Sequence, residues 1–366
     1  MNIPRISLCM VLVIGTGAGA AHGFQLAPVG TRHEVVDSNV NTWRIQYQAK
    51  SLLGAGVPLF VSPVHETMTQ LMFSCDFGWK DCADPNMELA GPYVMAGVRW
   101  NDDPGFFLAP GEGKEAGCTS DSITFMRQTS CWIGLFKDGK QRSLRSPADF
   151  QGPGRRSNLM TRSHFGDLQF LHAMASADAE SAAATKDKVM MWSQFVWSIV
   201  QGEYTLGTDL GQIPLSGWST HFVSGPNVQD LFTIGRRSVR PHIKQVAFGS
   251  LLHMVQDSFS QSHVQRREPV DGQRCADGRY RQLGRIQAFS SYVNQDHGEH
   301  GVHDSEASAL THRDMDPDVV DAGRVLVDMF KRPTPAPWTE VGQFLSECVF
   351  ALQNANAPAG PGVAIK

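Results

Sequence analysis

The sequence predicts a mainly α, single-domain fold. Apolar residues recur every three to four positions over several stretches. No βαβ alternation and no internal repeat is visible. Long glycine- and proline-rich stretches separate the periodic ones and read as ordered loops.

Along the chain, Met1–Arg5 and the apolar run Ile6–Ile14 precede small residues up to Gly23. This is the pattern of a secretory signal peptide over 1–23, with cleavage options after Ala20 or Gly23. The expected setting is therefore secreted, extracellular or periplasmic. No later stretch approaches the ~20 apolar residues of a membrane span. The remaining domain, 24–354, has roughly 340 residues with its tail, enough for one large domain. Residues 24–62 read as an extended arm. Ser62-Pro63 then opens a helix: the serine can cap, the proline suits the first turn, and Met68, Leu71 and Met72 form a stripe.

Residues 101–158 show little periodicity and read as an irregular, disulfide-held insertion. A long helix is expected over 167–200, where Leu168, Leu171, Met174, Met191, Phe195 and Ile199 share the spacing. Residues 202–238 form a second loop insertion. Helical spacing resumes over 241–262, 283–293, 318–330 and 340–352, and 355–366 reads as a flexible tail.

Six cysteines follow the leader: Cys75, Cys82, Cys118, Cys131, Cys275 and Cys348. An even number in an oxidising compartment favours disulfides, and the absence of a CxxC pair argues against a thiolate metal site. The economical local pairings are Cys75–Cys82 and Cys118–Cys131, leaving Cys275 for Cys348; fifteen connectivities are formally open. The formal net charge of −4 carries no basic block, so bulk electrostatics gives no support for a stable nucleic-acid partner. Gly-x-Ser-x-Gly, Walker and dinucleotide glycine motifs are absent, which removes the serine-elbow hydrolases and nucleotide folds from consideration.

The most informative stretch is Gly249-Ser-Leu-Leu-His253-Met-Val-Gln-Asp257-Ser-Phe-Ser-Gln-Ser-His263. On a helix, His253 and Asp257 project from one face about 40° apart and can grip one metal ion. His263 would lie roughly 15 Å further along an ideal axis. It can serve a second ion if the helix bends or ends near 258–262. His-x3-Asp also occurs at His300/Asp304 and His312/Asp316, and each pair taken singly is served by a surface i,i+4 contact. The apolar flanks Val246, Phe248, Leu251, Leu252 and Val255 set the first apart. They predict that His253 and Asp257 are buried, where either a metal or a hydrogen-bonded pair must satisfy them.

Four further features accompany it in order: Val64-His65-Glu66, Trp100-Asn-Asp102-Asp103-Pro, Ser163-His164-Phe165-Gly-Asp167, and the segment from Asn294 through His300 to Asp304. Together they resemble the zinc-dependent bacterial phospholipases C and their relatives, the single-strand-specific nucleases. That resemblance, over residues 62–305, implies an all-α fold with two to three zinc ions. It assigns Asp102, His164, His253 and Asp257 to one zinc, and His263, His300 and Asp304 to a second. His65 would hold a third, with Asp257 as a bridge. The resemblance implies that Asp102 is either a ligand or the base that orients the attacking water. Asp103 reads as a structural carboxylate before Pro104.

Departures from the family pattern leave some positions open. His33 competes with His65, since the family's third site lies close to the mature N-terminus and the first tryptophan here is Trp43. His297 and His303 compete with His300, and Ser-Gln-Ser precedes His263 where the family often has proline. Imidazole and carboxylate without thiolate suit zinc in a hydrolytic site. Closely spaced ions of this kind lower the pKa of water and steady an in-line displacement at phosphorus.

The expected activity is hydrolysis of a glycerophospholipid diester to diacylglycerol and a phosphorylated head group, with transient contact to a membrane surface. The resemblance leans to the secreted phospholipase branch; a nuclease and a non-catalytic zinc-stabilised binding module are the alternatives. Phe106, Phe107 and Trp132 can stack on a base or a quaternary ammonium, or can be ordinary core anchors.

Overall fold

The computed structural model describes residues 64–73, 90–108, 113–152, 158–276, 278–292, 295 and 316–361. The expected leader, the arm over 24–62, Cys75 and Cys82 lie outside these residues. Among the described residues there are nine α-helices and two small two-stranded sheets, so the mainly α expectation holds. The helices are α1 (Val64–Phe73), α2 (Pro92–Val98), α3 (Thr129–Arg145), α4 (Leu159–Phe165), α5 (Ala182–Gln201), α6 (Val228–Phe232), α7 (Ile243–Asp257), α8 (Val319–Lys331) and α9 (Trp338–Phe344).

Helix α7 is central, with α1, α2, α5 and α8 packed on it. It is buried from Val246 to Asp257, which fits the apolar flanks read from its sequence. Its contact with α2 is backbone on backbone. A Cβ on Gly97 would stand 2.0 Å from the Val246 oxygen, and one on Gly249 2.1 Å from the Val94 oxygen. Only glycine at both positions allows that approach. A buried ion pair, Arg99 Nε to Glu66 Oε1 at 2.8 Å, ties the end of α2 to α1.

Local signals set the other boundaries. Ser181 caps α5 by accepting from the Ala184 amide, and Gly202 ends it in the left-handed region at φ 86°. Asp318 and Asp321 form a reciprocal capping box on α8. The expected 167–200 helix therefore begins fifteen residues late, at Ala182 rather than Asp167. A 3₁₀ turn over Gln169–His172 and left-handed Ala173 occupy its first part.

Three expectations require correction. The 101–158 insertion is not wholly irregular: it carries the 17-residue α3. Cys131, Trp132, Leu135 and Phe136 face a separate apolar cluster that includes Phe106, Phe125, Phe150 and Phe165. The 283–293 segment is not helical. Ile286–Phe289 is β4, paired antiparallel with β3 (Val264–Arg266), and its apolar spacing of three had imitated a helix. The tail is ordered as far as described: 355–361 bonds along the start of α5 and the end of β4, with bridges Ser181–Pro358 and Ser290–Gly360. The other strands, β1 (Phe106–Phe107) and β2 (Ser122–Ile123), pair antiparallel. Disulfides Cys118–Cys131 and Cys275–Cys348 form as the economical pairing anticipated. No helix among the described residues is long and apolar enough to cross a membrane.

Candidate metal centre

Among the described residues, two buried groups of imidazoles and carboxylates could hold metal ions: His65, His253 and Asp257, and Asp102, His164 and His172. They adjoin. His253 Nε2 lies 3.0 Å from Asp257 Oδ2 and 3.7 Å from Asp102 Oδ2. His172 Nδ1 lies 2.9 Å from Asp257 Oδ2 and 3.7 Å from Asp102 Oδ1, so it bridges the two carboxylates. His65 Nε2 is 3.4 Å from Asp257 Oδ1, and His164 Nε2 is 3.7 Å from Asp102 Oδ1.

The helices explain the placement. The α2–α7 glycine contact lies one turn before His253 and lets its Nδ1–H donate to the Val98 carbonyl at 2.7 Å. That carbonyl is among the last of α2, which have no intrahelical partner. Helix α7 ends at Asp257, and turns through Ser258 and Ser260 bring the chain back. His263 therefore returns to the cluster rather than extending along the axis. Its Nδ1–H donates to the His172 carbonyl at 2.7 Å, and the same nitrogen is 3.8 Å from Asp257 Oδ2.

Asp102 is set by its neighbours. Asn101 Nδ2 donates to the Leu171 carbonyl at 2.7 Å, and Ser250 Oγ donates to Asn101 Oδ1 at 2.7 Å. Trp100 Nε1 donates to the Leu231 carbonyl at 3.1 Å. Asp103 accepts from the Phe125 amide and from Arg236, which gives it the structural role anticipated.

Hydrogen bonding fixes the tautomers. His65 donates from Nδ1 to Gln256 Oε1 at 2.6 Å, His164 to the Met160 carbonyl at 2.8 Å, and His253 and His263 to carbonyls as above. In a neutral ring the lone pair then resides on Nε2, and for His65, His164 and His253 that atom faces a carboxylate oxygen. Lone pair against carboxylate is repulsive unless a proton or a metal cation lies between. Both oxygens of Asp102, Oδ1 of Asp257 and Nε2 of His172 are buried without a hydrogen bond. Zinc–nitrogen and zinc–oxygen bonds of ~2.0–2.2 Å place tetrahedral ligand atoms about 3.4 Å apart. The observed spacings of 3.0–3.7 Å bracket that value. The donor set could hold a metal ion.

The electrostatics agree. Burial disfavours charge on Asp102 and Asp257, yet the surrounding imidazoles hold both below the usual carboxylate range, Asp257 far below. Burial lowers His253 and His164. It also opposes charge on His65, but Asp257 and Asp102 prevail and raise that ring to about 9. His172 is likewise raised, against burial, by Asp257 and Asp102.

Of the positions read from sequence, His65, Asp102, His164, His253 and Asp257 converge, with His263 beside them. His300 and Asp304 lie outside the described residues, as do the rivals His33, His297 and His303. His172 was missed. It belongs to no spaced motif, and a continuous helix over 167–200 gave it no reason to face Asp257; the turn ending at Ala173 does. Gln256, which orients His65 and donates to Thr69, was also missed. Trp132 is a core anchor stacked on Phe136, so it is not available to a ligand. No family model matches the chain, and no curated protein or solved structure matches it.

Proposed function

We propose that the chain is an exported zinc-dependent phosphoric diester hydrolase acting on glycerophospholipids, phosphatidylcholine first among them. One observation carries the metal reading: imidazole nitrogens with fixed tautomers converge on two buried carboxylates that retain unbonded oxygens. The diesterase reading rests on the family-like order of His65, Asp102, His164, His253, Asp257 and His263. The disulfides support an oxidising compartment.

His65, Asp102, His164, His172, His253 and Asp257 would hold the zinc, with His263 beside them. When bound it would supply Lewis acidity and a water of lowered pKa. The chain's own part is orientation. Val98, Met160 and Gln256 hold the rings in the ligating tautomer, and Asn101 with Ser250 holds the segment that presents Asp102. Asp102 either completes the metal shell or orients the attacking water.

The test is product identity from purified protein, with and without chelator, on phosphatidylcholine and on single-stranded DNA. Diacylglycerol with phosphocholine supports the proposal; 5′-mononucleotides would move it to the nuclease branch. Asp102→Asn should retain the fold and lose most turnover, on the order of a hundredfold or more, because an amide is a poor base and a weak ligand. A second reading, a zinc-stabilised module without catalysis, is favoured by the depth of the cluster: His65, Asp102, His253, Asp257 and His263 are each 0% exposed. Zinc-loaded protein inert towards every diester would establish that reading instead.

A further inference from the structure

A second buried polar group lies apart from the histidine cluster and takes no part in the chemistry above. Arg162 donates from Nε and Nη2 to the two oxygens of Asp167, at 2.8 and 2.7 Å. His221 Nδ1–H donates to Asp167 Oδ2 at 2.7 Å, and Arg162 Nη2 also donates to the His221 carbonyl at 2.6 Å. The bidentate pair occupies one edge of the guanidinium, the His221 carbonyl takes the second Nη2 hydrogen, and Nη1 lies outside these bonds. The His221–Asp167 bond places the lone pair of the neutral ring on Nε2.

Arg162 and His221 line a cavity of about 500 Å³. Its walls are otherwise largely apolar, with Phe106, Leu159, Phe222 and Leu231 among them. Phe107 and Val223, which are 56% and 47% exposed, line it at the surface. They are two of only four large apolar side chains so exposed among the described residues, which marks this spot as an apolar opening. Asp230 also borders the cavity, but its carboxylate accepts from the Asn227 amide at the start of α6. Asp167 borders the neighbouring cavity on the far side of His221 and not this one.

We propose that this cavity binds an amphiphile: a hydrocarbon chain with a small anionic head, carboxylate or phosphate monoester. The size and walls match pockets that enclose a ligand mostly by apolar contact, with few polar groups fixing its orientation. A guanidinium N–H is the chemistry that selects a carboxylate or phosphate head, and a neighbouring imidazole lone pair accepts a hydroxyl proton where the head carries one. The chain fills the apolar space and the head meets Arg162 Nη1, while the lone pair on His221 Nε2 accepts a proton that the head retains, as a singly ionised phosphate monoester does. Arg162 stands two positions before His164 on α4, about 200° around the helix, so the cavity and the histidine cluster lie on different sides of it. The inference therefore does not rest on the metal or on turnover.

Titration calorimetry of the intact protein with dodecanoate and with dodecyl phosphate, below their micelle concentrations, tests it; neither probe contains a diester. Saturable one-site binding is expected for at least one of them, and which one binds identifies the head. Inorganic phosphate and dodecanol should each bind at least about tenfold more weakly. Val223→Glu and Phe107→Glu put a carboxylate at exposed positions on the opening. Each should weaken binding about tenfold or more, with circular dichroism and zinc content unchanged. No saturable binding of either amphiphile, equal binding of dodecanol or inorganic phosphate, or binding indifferent to both substitutions would overturn the proposal.

Discussion

At the residue scale, the ring nitrogens decide what the cluster can do. A histidine that donates Nδ1–H to an oxygen presents Nε2 as a ligand, and outer-shell bonds of that kind tune metal affinity. His172 differs, because its Nδ1 faces Asp257 and its Nε2 makes no hydrogen bond. Truncating it should still release zinc. His172→Ala is expected to lose about one equivalent per chain by elemental analysis, where the parent retains at least two. His242, which stacks on Tyr93 with ring centroids 3.5 Å apart, serves as control, and His242→Ala should retain the parent content. His253→Ala should lower zinc content and also cost about 3 kcal/mol in chemical denaturation, since Asp257 would remain buried with fewer partners. Unchanged metal in His172→Ala would remove that residue from the ligand set.

At the element scale, the paired glycines control how closely α2 and α7 approach. Gly249→Ala would push a methyl group into the Val94 oxygen and the Val98 amide. It is expected to destabilise by about 1–3 kcal/mol in urea denaturation and to reduce zinc content, because His253 depends on the Val98 carbonyl. Gly207→Ala meets nothing within 4 Å and should be neutral or slightly stabilising. The same helices show what was legible in the sequence. Buried flanks and i,i+4 spacing identified α7 and its His253–Asp257 pair, and apolar helical spacing over 318–330 identified α8. The β3–β4 hairpin was hidden because Leu283, Ile286 and Phe289 repeat at a helical interval. Only contact with Val264–Arg266 selects the strand. His172 was hidden for a similar reason, since its direction is set by a tertiary turn and not by local spacing.

At the scale of the whole molecule, the disulfides and the proposed metal act on different parts of the chain. Cys118–Cys131 closes 13 residues, whereas Cys275–Cys348 closes 73 and joins the region beside the hairpin to the turn after α9. Loop-closure entropy gives about 3 kcal/mol for the short loop and about 4–5 kcal/mol for the long one. Replacing Cys275 and Cys348 by alanine should therefore lower the melting temperature more than replacing Cys118 and Cys131. The proposed export predicts that the mature protein shows no free thiol when denatured without reductant. Chelation should lower the melting temperature as well, because a ligand held only by the folded state contributes about 4 kcal/mol at a thousandfold excess over Kd. A transition indifferent to chelator would contradict a metal integral to the fold.

The backbone seam over 355–361 has its own consequence. The amides of Ala179, Ala182 and Ala183 donate to carbonyls of Ala359, Ala357 and Ala355, and the Ser291 amide donates to Gly360. An exopeptidase working inward from the C-terminal end must peel this strip away before it can bind the chain in extended form. Trimming that reaches 355–361 should therefore slow within this strip, and the digest should accumulate a species that ends there.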